Sequence, residues 1–532
     1  MSGNVMNLGR LLTNTARRRP QETALIWGDR RWSWAALNAR VDALVAALAG
    51  LGLEQGERVL VQARNSNQMF ETLWATFKLG AVWVPCNFRL SPPEVAHLAA
   101  SSGARVMIAD GEFADHVAAV RTKVPALTSF VAIGEGLSGA DDYEAMIEPH
   151  IGTTLLEAEV NYDDPCWFFY TSGTTGLPKA AVLTHGQLAF VVNNHIADLM
   201  PGLGMQPGVR DVSLAMAPLS HGAGAHALSQ VARGVPTVLS DNRRFDEAQL
   251  WRLIQEHRVT NFFSVPTMLT RLARSPEADR VDHASLRHVI YAGAPMYRAD
   301  QVEALRVFGS VLVQYYGLGE VTGNITLLPP DDHVMDDGEM RIGSCGFART
   351  GMEIAIKNSE GRRLDAGESG EICVRGPAVF AGYYNNPEAN AKALKDGWFH
   401  TGDLGRLDEA GYLYITGRAS DMYICNGANI YPRDAEEVLL THPQVAEVAV
   451  LGVPDPAVGE MGVAVVVLSR EGAASSEADL LGFLDGKLAK YKWPRRVIFW
   501  DELPKSGYGK VPKHIIRQGL YERGEVQSGD GA

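Results

Sequence analysis

At 532 residues the chain has room for two to four folding units of roughly 150 residues each. A hydrophobic share of 46% and a charged share of 21% are ordinary for a globular protein, and a net charge of −13 argues against a general nucleic-acid binder. Cys86, Cys166, Cys345, Cys373 and Cys425 stand apart with no C-x-x-C pair, which fits a reducing compartment better than a disulfide frame. No run of about 18 apolar residues spans a membrane. The stretch from Met1 to Leu12 lacks the charged-then-apolar order of a secretory signal, so the expected location is the cytoplasm.

From residue 20 to 110 helical and strand patterns alternate. Residues 34–50 repeat apolar side chains at helical spacing and end on Gly50. Strands are expected at 58–62, 80–85 and 104–110, with helices at 69–79 and 93–100. This alternation implies α/β architecture with doubly wound parallel sheets. Residues 111–165, with Gly- and acid-rich pieces, read as surface excursions.

Tyr170-Thr-Ser-Gly-Thr-Thr-Gly-Leu-Pro-Lys179 follows the apolar run 166–170, read as a buried strand, and precedes a segment from Gln187 that can start a helix. Glycines let backbone N–H groups close on an anion, and Ser172, Thr174 and Thr175 add short donors, which suits a polyphosphate. The plain alternative is a solvated turn. The Gly-Lys-Ser/Thr ending of the common phosphate loop is missing.

Farther on, Pro218 to His221 puts a histidine after a proline turn amid small residues, where a cleft or a structural role would both fit. His226 reads as structural. The runs 259–266 and 288–295 read as strand then turn. The second ends in Gly293-Ala294-Pro295, at a strand's carboxyl end, where open sheets bind ligands and small residues admit a flat base. Residues 311–320 give strand, turn and acid: Tyr316 can stack on a base, and Glu320 beside a triphosphate can hold Mg2+. Alternating, glycine-punctuated runs at 343–384 suggest strands and hairpins. In Thr401-Gly402-Asp403 the carboxylate can accept from two ribose hydroxyls or simply shape a turn. Strands at 446–451, 462–468 and 496–500 with a helix at 477–491 make a small α+β unit. Its end is basic, with Lys487, Lys490, Lys492, Arg495, Arg496, Lys505, Lys510, Lys513 and Arg517 facing few acids: a solvated face, or one that meets phosphates.

Together these stretches resemble the adenylate-forming superfamily of acyl-CoA synthetases, luciferases and peptide-synthetase adenylation domains, from about residue 10 to 520 and in the family's motif order. The resemblance implies an N-terminal ATP- and acyl-binding domain at 1–417 with a small β-barrel subdomain at 343–416. It also implies a mobile α+β C-terminal lid domain at 418–520, followed by a polar tail at 521–532. The implied substrates are a carboxylic acid, ATP and CoA, with Mg2+, and the products are acyl-CoA, AMP and pyrophosphate by way of acyl-AMP. Thr171, Ser172, Gly173, Thr174, Thr175, Gly176 and Lys179 would grip phosphates, and Thr171 would join Glu320 at the metal. Gly293, Ala294, Pro295, Tyr316 and Gly317 would hold adenine, with Asp403 and Arg418 on the ribose side. Lys510 would bridge the acyl carboxylate and α-phosphate, Ser420 would be the hinge, and Gly427 would line the pantetheine path.

Two residues depart from the family pattern: Gly319 stands where threonine is usual, and Ser420 where aspartate or lysine is. The acyl cleft would be lined by His221, which gates it in the family, and by Gly222, Ala223, Ala227, Val265, Tyr291, Tyr315, Gly317 and Asn324. With no charged anchor among them, an uncharged aliphatic or aryl tail is expected, with a short-to-medium or branched acid favoured because Tyr315 narrows the pocket. A peptide-synthetase domain would carry an aspartate where Gly222-Ala-Gly-Ala stands. A luciferase-type oxygenase shares the motifs. An enzyme handing its acyl group to another acceptor, and a nucleotide-binding protein that has lost catalysis, are the remaining alternatives. The composition is compatible with a homodimer.

Overall fold

Helix Trp34–Gly50 forms as its apolar spacing predicts, and Ser33 caps it by accepting from the Ala36 N–H. Its buried face (Leu37, Val41, Leu44, Leu48) packs on helix Asn67–Leu79, in the core that underlies the first of two large sheets. The computed structural model describes residues 4–171, 178–199, 210–240, 243–469, 475–505 and 511–526.

The first sheet has seven strands, in the order Lys179–Thr184, Pro165–Thr171, Val82–Pro85, Arg58–Gln62, Val106–Asp110, Ser129–Ile133 and Asp141–Asp142. Its central strands are parallel and buried on both faces, so they read as continuous apolar runs. Trp83 and Trp167 meet edge to face at 4.7 Å across this sheet.

The second sheet starts from a parallel core: Thr23–Trp27, Thr237–Leu239, Ser213–Ala215, Asn261–Ser264, His288–Tyr291 and Leu312–Tyr316. It continues antiparallel through Thr326–Leu328, Ser344–Ala348, Tyr412–Arg418, Trp398–Leu407, Gly370–Arg375 and Glu353–Lys357. The β-rich segment is thus hydrogen-bonded onto the same sheet as the parallel core. The turns after His288–Tyr291 and Leu312–Tyr316 leave neighbouring parallel strands at the same end.

Two expectations change here. The motif at 170–179 does not lead from strand to helix. Lys179–Thr184 returns antiparallel to Pro165–Thr171, with Thr171 opposite Lys179, and the helix starts only at His185. The apolar run from Ala180 to Leu183 is buried as a strand against its neighbour, which sequence spacing alone did not separate from the helix. Residues 111–165 are not all excursions. Helix Ala114–Lys123 and strand Ser129–Ile133 extend the first sheet, because Val117, Val120, Phe130 and Val131 supply a buried face between the acids.

Beyond Arg418 a five-stranded sheet forms the last unit. In strand Val445–Asp455, Val448 and Val450 enter one apolar cluster while Ala449, Leu451 and Val453 enter the other, so both faces are covered. The helix expected at 477–491 ends at Phe483, ahead of a left-handed Gly486. The basic end also differs from expectation: Lys492 pairs with Asp434, Arg496 with Glu477, Lys505 with Glu447 and Lys513 with Glu436. Those acids lie on other strands and helices, so a linear reading missed them. Among the described residues no helix is long and apolar enough to cross a membrane.

Candidate active site

Three distant stretches meet at Glu320. It lies in the 3-10 turn Gly319–Val321, just past strand Leu312–Tyr316, and is 4% exposed. Its Oε1 accepts from the Thr171 hydroxyl at 2.9 Å and from the Tyr383 hydroxyl at 2.8 Å, across sequence separations of 149 and 63 residues. The Lys179 ammonium stands 5.7 Å from the Tyr383 ring centre. Burial and the adjacent Glu320 carboxylate push the Tyr383 phenol above its ordinary pKa, so it stays a donor. Glu320 Oε2 is buried and has no partner among the described residues. A buried carboxylate oxygen left without a donor is costly. The pair Glu320 and Thr171 therefore fits a hard, oxygen-seeking cation such as Mg2+.

A second group lies beside it. Tyr316 donates to Asp403 Oδ2 at 2.8 Å, and Arg418 Nε reaches Asp403 Oδ1 at 3.0 Å. Asp403 and Arg418 are opposite each other in adjacent strands. Burial alone would depress the Arg418 pKa, but Asp403 and its acidic neighbours outweigh that and raise it. The aromatic, carboxylate and guanidinium expected around a nucleotide are thus brought together. Gly293 takes φ +86, and a Cβ there would lie 3.7 Å from Val265 Cγ1. The Gly293-Ala294-Pro295 turn accordingly abuts the start of helix Pro266–Ala273, which Val265 directly precedes.

His221 is the residue before helix Gly222–Arg233. Ser220 Oγ is 2.7 Å from its Nδ1, and Phe169 meets its ring edge-on at 5.4 Å. A Cβ on Gly222 would come within 2.5 Å of the Phe263 ring, so only glycine allows that ring so close. Ala223 and Ala227, both buried, lie one helical turn apart on the same side.

The Gly319 departure has a steric cause. A Cβ there would sit 2.6 Å from Phe169 Cδ1 and 2.7 Å from Thr171 Cγ2, so Phe169 fills the space a threonine would need. Thr322, three residues on, holds φ +54, and its buried hydroxyl has no partner among the described residues. A β-branched residue in the left-handed region carries strain of about 1–3 kcal/mol.

One residue leaves the acyl list. Tyr291 pairs in register with Gln314, so it lies on the sheet face opposite Tyr315. There it is fully buried, hydrogen-bonded with Gln314, Gln301 and His333, and packed in a separate apolar cluster. Alternation along the strand, invisible in a list of nearby residues, takes it out of the cleft. Tyr315 packs with Ile290, Ala292 and Phe263. A Cβ on Gly317, on the same side two residues on, would strike the Gly323 backbone at 2.6 Å. The next residue, Asn324, is fully buried.

Behind Tyr315 stands a buried ion pair outside the residues expected to line the acyl cleft. The Arg349 guanidinium lies 4.7 Å from the Tyr315 ring centre and pairs with Asp198 at 2.9 Å. Nothing in the local pattern flags Arg349, which follows strand Ser344–Ala348. Tyr383 and Phe169 lie inside the runs 343–384 and 166–170, but no role was expected of either.

Lys510, Ser172, Gly173, Thr174, Thr175 and Gly176 lie outside the described residues. Ser420 is exposed in the turn leaving Arg418. Gly427, at φ +78, follows Asn426 at φ +51 in the tight hairpin between Tyr423–Cys425 and Ala428–Ile430. It is exposed, with open space where a side chain would be.

The architecture is that of an adenylate-forming enzyme. The model of the AMP-binding enzyme family matches residues 12–384, that of the AMP-binding enzyme C-terminal domain matches residues 434–510, and the chain belongs to this family. It is 37% identical over 517 residues to a feruloyl-CoA synthase of Amycolatopsis, covering 96% of this chain and 98% of that one. It is 34% identical over 513 residues to an indoleacetate–CoA ligase of Aromatoleum aromaticum, again covering 96% and 98%. Among solved structures it resembles the anthranilate CoA ligase AuaEII in complex with anthranoyl-AMP, with TM-score 0.88, 27% identity and 98% of each chain covered.

Proposed function

We propose that the protein is an ATP-dependent, AMP-forming acyl-CoA synthetase acting on aromatic carboxylic acids in the cytoplasm. The observation that carries this reading is the junction of the Thr171–Glu320–Tyr383 group with the Tyr316–Asp403–Arg418 group, around the ends of strands Pro165–Thr171 and Leu312–Tyr316. The relatives support the ligase class. Their aromatic acids, together with the Tyr315, His195 and Phe263 rings around the acyl side, favour an aryl tail over the aliphatic alternative.

The reaction has two halves. A carboxylate oxygen attacks the α-phosphorus of ATP, pyrophosphate leaves, and acyl-AMP remains. The CoA thiol then attacks the acyl carbon and AMP leaves. The first half is mainly positioning and charge neutralisation. Tyr316, Asp403 and Arg418 orient the nucleoside, and His221, braced by Phe169, borders the acyl entrance. Glu320 and Thr171 would hold Mg2+, which neutralises phosphate charge when bound. Lys510 would neutralise the charge shared by the carboxylate and α-phosphate. The lid would then turn about Ser420, taking Lys510 away and bringing Gly427 to the cleft.

The test separates the halves. Lys510→Ala is expected to abolish acyl-AMP formation while largely sparing CoA attack on supplied acyl-AMP. Gly427→Leu is expected to do the reverse. Equal loss of both halves in Lys510→Ala would contradict a lid with two positions. Pyrophosphate release with aromatic acids that CoA does not stimulate, with acyl-AMP accumulating, would instead point to another acyl acceptor.

A further inference from the structure

Three side chains of metal-binding type converge on one face of the β-rich segment, outside both the nucleotide and the acyl groups. Glu371 and Cys373 lie on the same face of strand Gly370–Arg375, and Cys373 pairs in register with His400 of strand Trp398–Leu407. The register shifts beside that pair: Glu371 and Cys373 stand two apart, while their partners Leu404 and His400 stand four apart. The second strand therefore bulges at Thr401-Gly402-Asp403. A Glu371 carboxylate oxygen, Cys373 Sγ and a His400 ring nitrogen all lie within 4.8 Å of one another. Glu371 Oε2 stands 2.7 Å and Cys373 Sγ 3.4 Å from the same atom, His400 Nδ1.

That nitrogen cannot satisfy both neighbours by hydrogen bonding. It carries either a proton or a lone pair. With the proton, it donates to Glu371 and offers the thiol proton no acceptor. With the lone pair, it accepts from the thiol and turns that lone pair against the carboxylate. The other Glu371 oxygen is already engaged, since Oε1 accepts from the Gly402 N–H at 3.2 Å. Lys357, opposite Glu371 in register, holds its ammonium over the Trp398 ring at 4.7 Å. A dication between the three groups removes the conflict, because it takes a lone pair from each.

We propose that Glu371, Cys373 and His400 form a zinc site, holding one Zn2+ per chain with water as the fourth ligand. Thiolate, imidazole and carboxylate are zinc's usual donors, and tetrahedral angles at ordinary zinc bond lengths put such donors roughly 3.4–3.6 Å apart. The sulfur–nitrogen distance already fits, and the Glu371 carboxylate has to draw back by about 0.7 Å. Its side chain is 32% exposed and that of His400 15%, which leaves room for the movement, for the water and for entry of the ion. On binding, the Cys373 thiol gives its proton to solvent, the imidazole keeps its proton on Nε2, and the Nδ1 lone pair goes to the metal. Thiolate and carboxylate together match the charge of the ion. The site ties the two strands together at the bulge that carries Asp403. It is distinct from the pair Glu320 and Thr171, whose oxygen donors suit a harder ion.

The experiment titrates the full, tag-free chain with Co2+, a spectroscopic stand-in for Zn2+, after chelator treatment and in excess Mg2+, with a phosphine keeping the thiols reduced. The intact protein is expected to develop a sulfur-to-cobalt charge-transfer band and the intense visible bands of a four-coordinate ion. Both should saturate at one ion per chain and disappear when Zn2+ displaces Co2+. Cys373→Ser is expected to lose the charge-transfer band and to weaken Zn2+ binding by at least the roughly 100-fold that losing an outer-shell partner costs. Glu371→Gln is expected to keep the band and to bind roughly tenfold or more weakly. Should Cys373→Ser fail to fold, Glu371→Gln, at the most exposed ligand, carries the test. No sulfur-to-cobalt band in the intact protein, or a band that survives in Cys373→Ser, as one from Cys425 would, overturns the site. So does an affinity unchanged by Glu371→Gln. None of these readouts involves turnover, so the synthetase reading stands or falls separately.

Discussion

On the nucleotide side of the cleft, Thr171 and Tyr383 bind one oxygen of Glu320, and Tyr316 and Arg418 take the two oxygens of Asp403. On the acyl side, the Asn324 side-chain amide is buried just as deeply, but neither of its polar atoms has a partner among the described residues. Among the described residues one wall is assembled before any ligand arrives, with Glu320 Oε2 left open. The other is polar but incomplete. A fixed nucleotide wall serves any substrate of the reaction class, because ATP does not change. The acyl wall is the part that has to differ between enzymes acting on different acids.

Removing the open oxygen is the strongest way to break the nucleotide wall. Glu320→Gln is expected to slow pyrophosphate release by roughly 100- to 1000-fold. The Mg2+ concentration for half-maximal rate should rise with it. An unchanged Mg2+ titration would show that Oε2 does not face the cation.

The acyl wall can be tested through its buried ion pair. Arg349→Met leaves Asp198 without its cation and is expected to cost about 3 kcal/mol in urea unfolding. Adding Asp198→Asn should recover much of that loss, a coupling that a double-mutant cycle measures directly. A loss below about 0.5 kcal/mol would place the pair in solvent-like surroundings.

Gly319 links the two walls through Phe169, which also touches His221. Gly319→Thr, although it restores the usual family residue, is expected to lower kcat/KM about tenfold by displacing Phe169 and Thr171. The pair Gly319→Thr with Phe169→Ala should be more active than Gly319→Thr alone. If Gly319→Thr by itself raises activity, the packing account fails.

The smallest effect is a general one. Burial lowers the pKa values of His185, His226 and His333 to about 4, below the ordinary 6.5. The unfolded chain therefore binds these protons first. The histidines favour folding fully above about pH 6.5, and that contribution declines toward pH 4. At pH 5.5 each is expected to cost about 1 kcal/mol relative to neutral pH. Proton uptake on unfolding, measured by calorimetry in two buffers, checks the sign. Release instead of uptake would contradict it.

Much of the nucleotide wall was legible because its residues sit in short, glycine-marked turns after apolar strands. Glu320, Tyr316 and Arg418 each belong to such a turn or strand end, where local composition limits what the place can do, whereas Asp403, expected in a turn, stands inside strand Trp398–Leu407. The acyl wall was legible only in part. Tyr291 and Tyr315 look equivalent in the chain, but a one-residue difference in strand register sends them to opposite faces. Arg349, Asp198 and His195 carry no motif. They come together only because helix His185–Leu199 packs beneath the sheet, beside the turn after Ser344–Ala348.

The α/β class and the family follow from the sequence itself, since hydrophobic period and turn chemistry are local properties of the chain. Whether 170–179 led to a strand or a helix, why Gly319 replaces threonine, and which polar atoms stay unpartnered beside the acyl pocket were decided by tertiary packing. Each depends on a neighbour far away in sequence: Phe169 against Gly319, Arg349 against Tyr315, Thr171 against Glu320. Contacts of that range arise when sheets and helices close on each other, and no local pattern encodes the distance at which they do so.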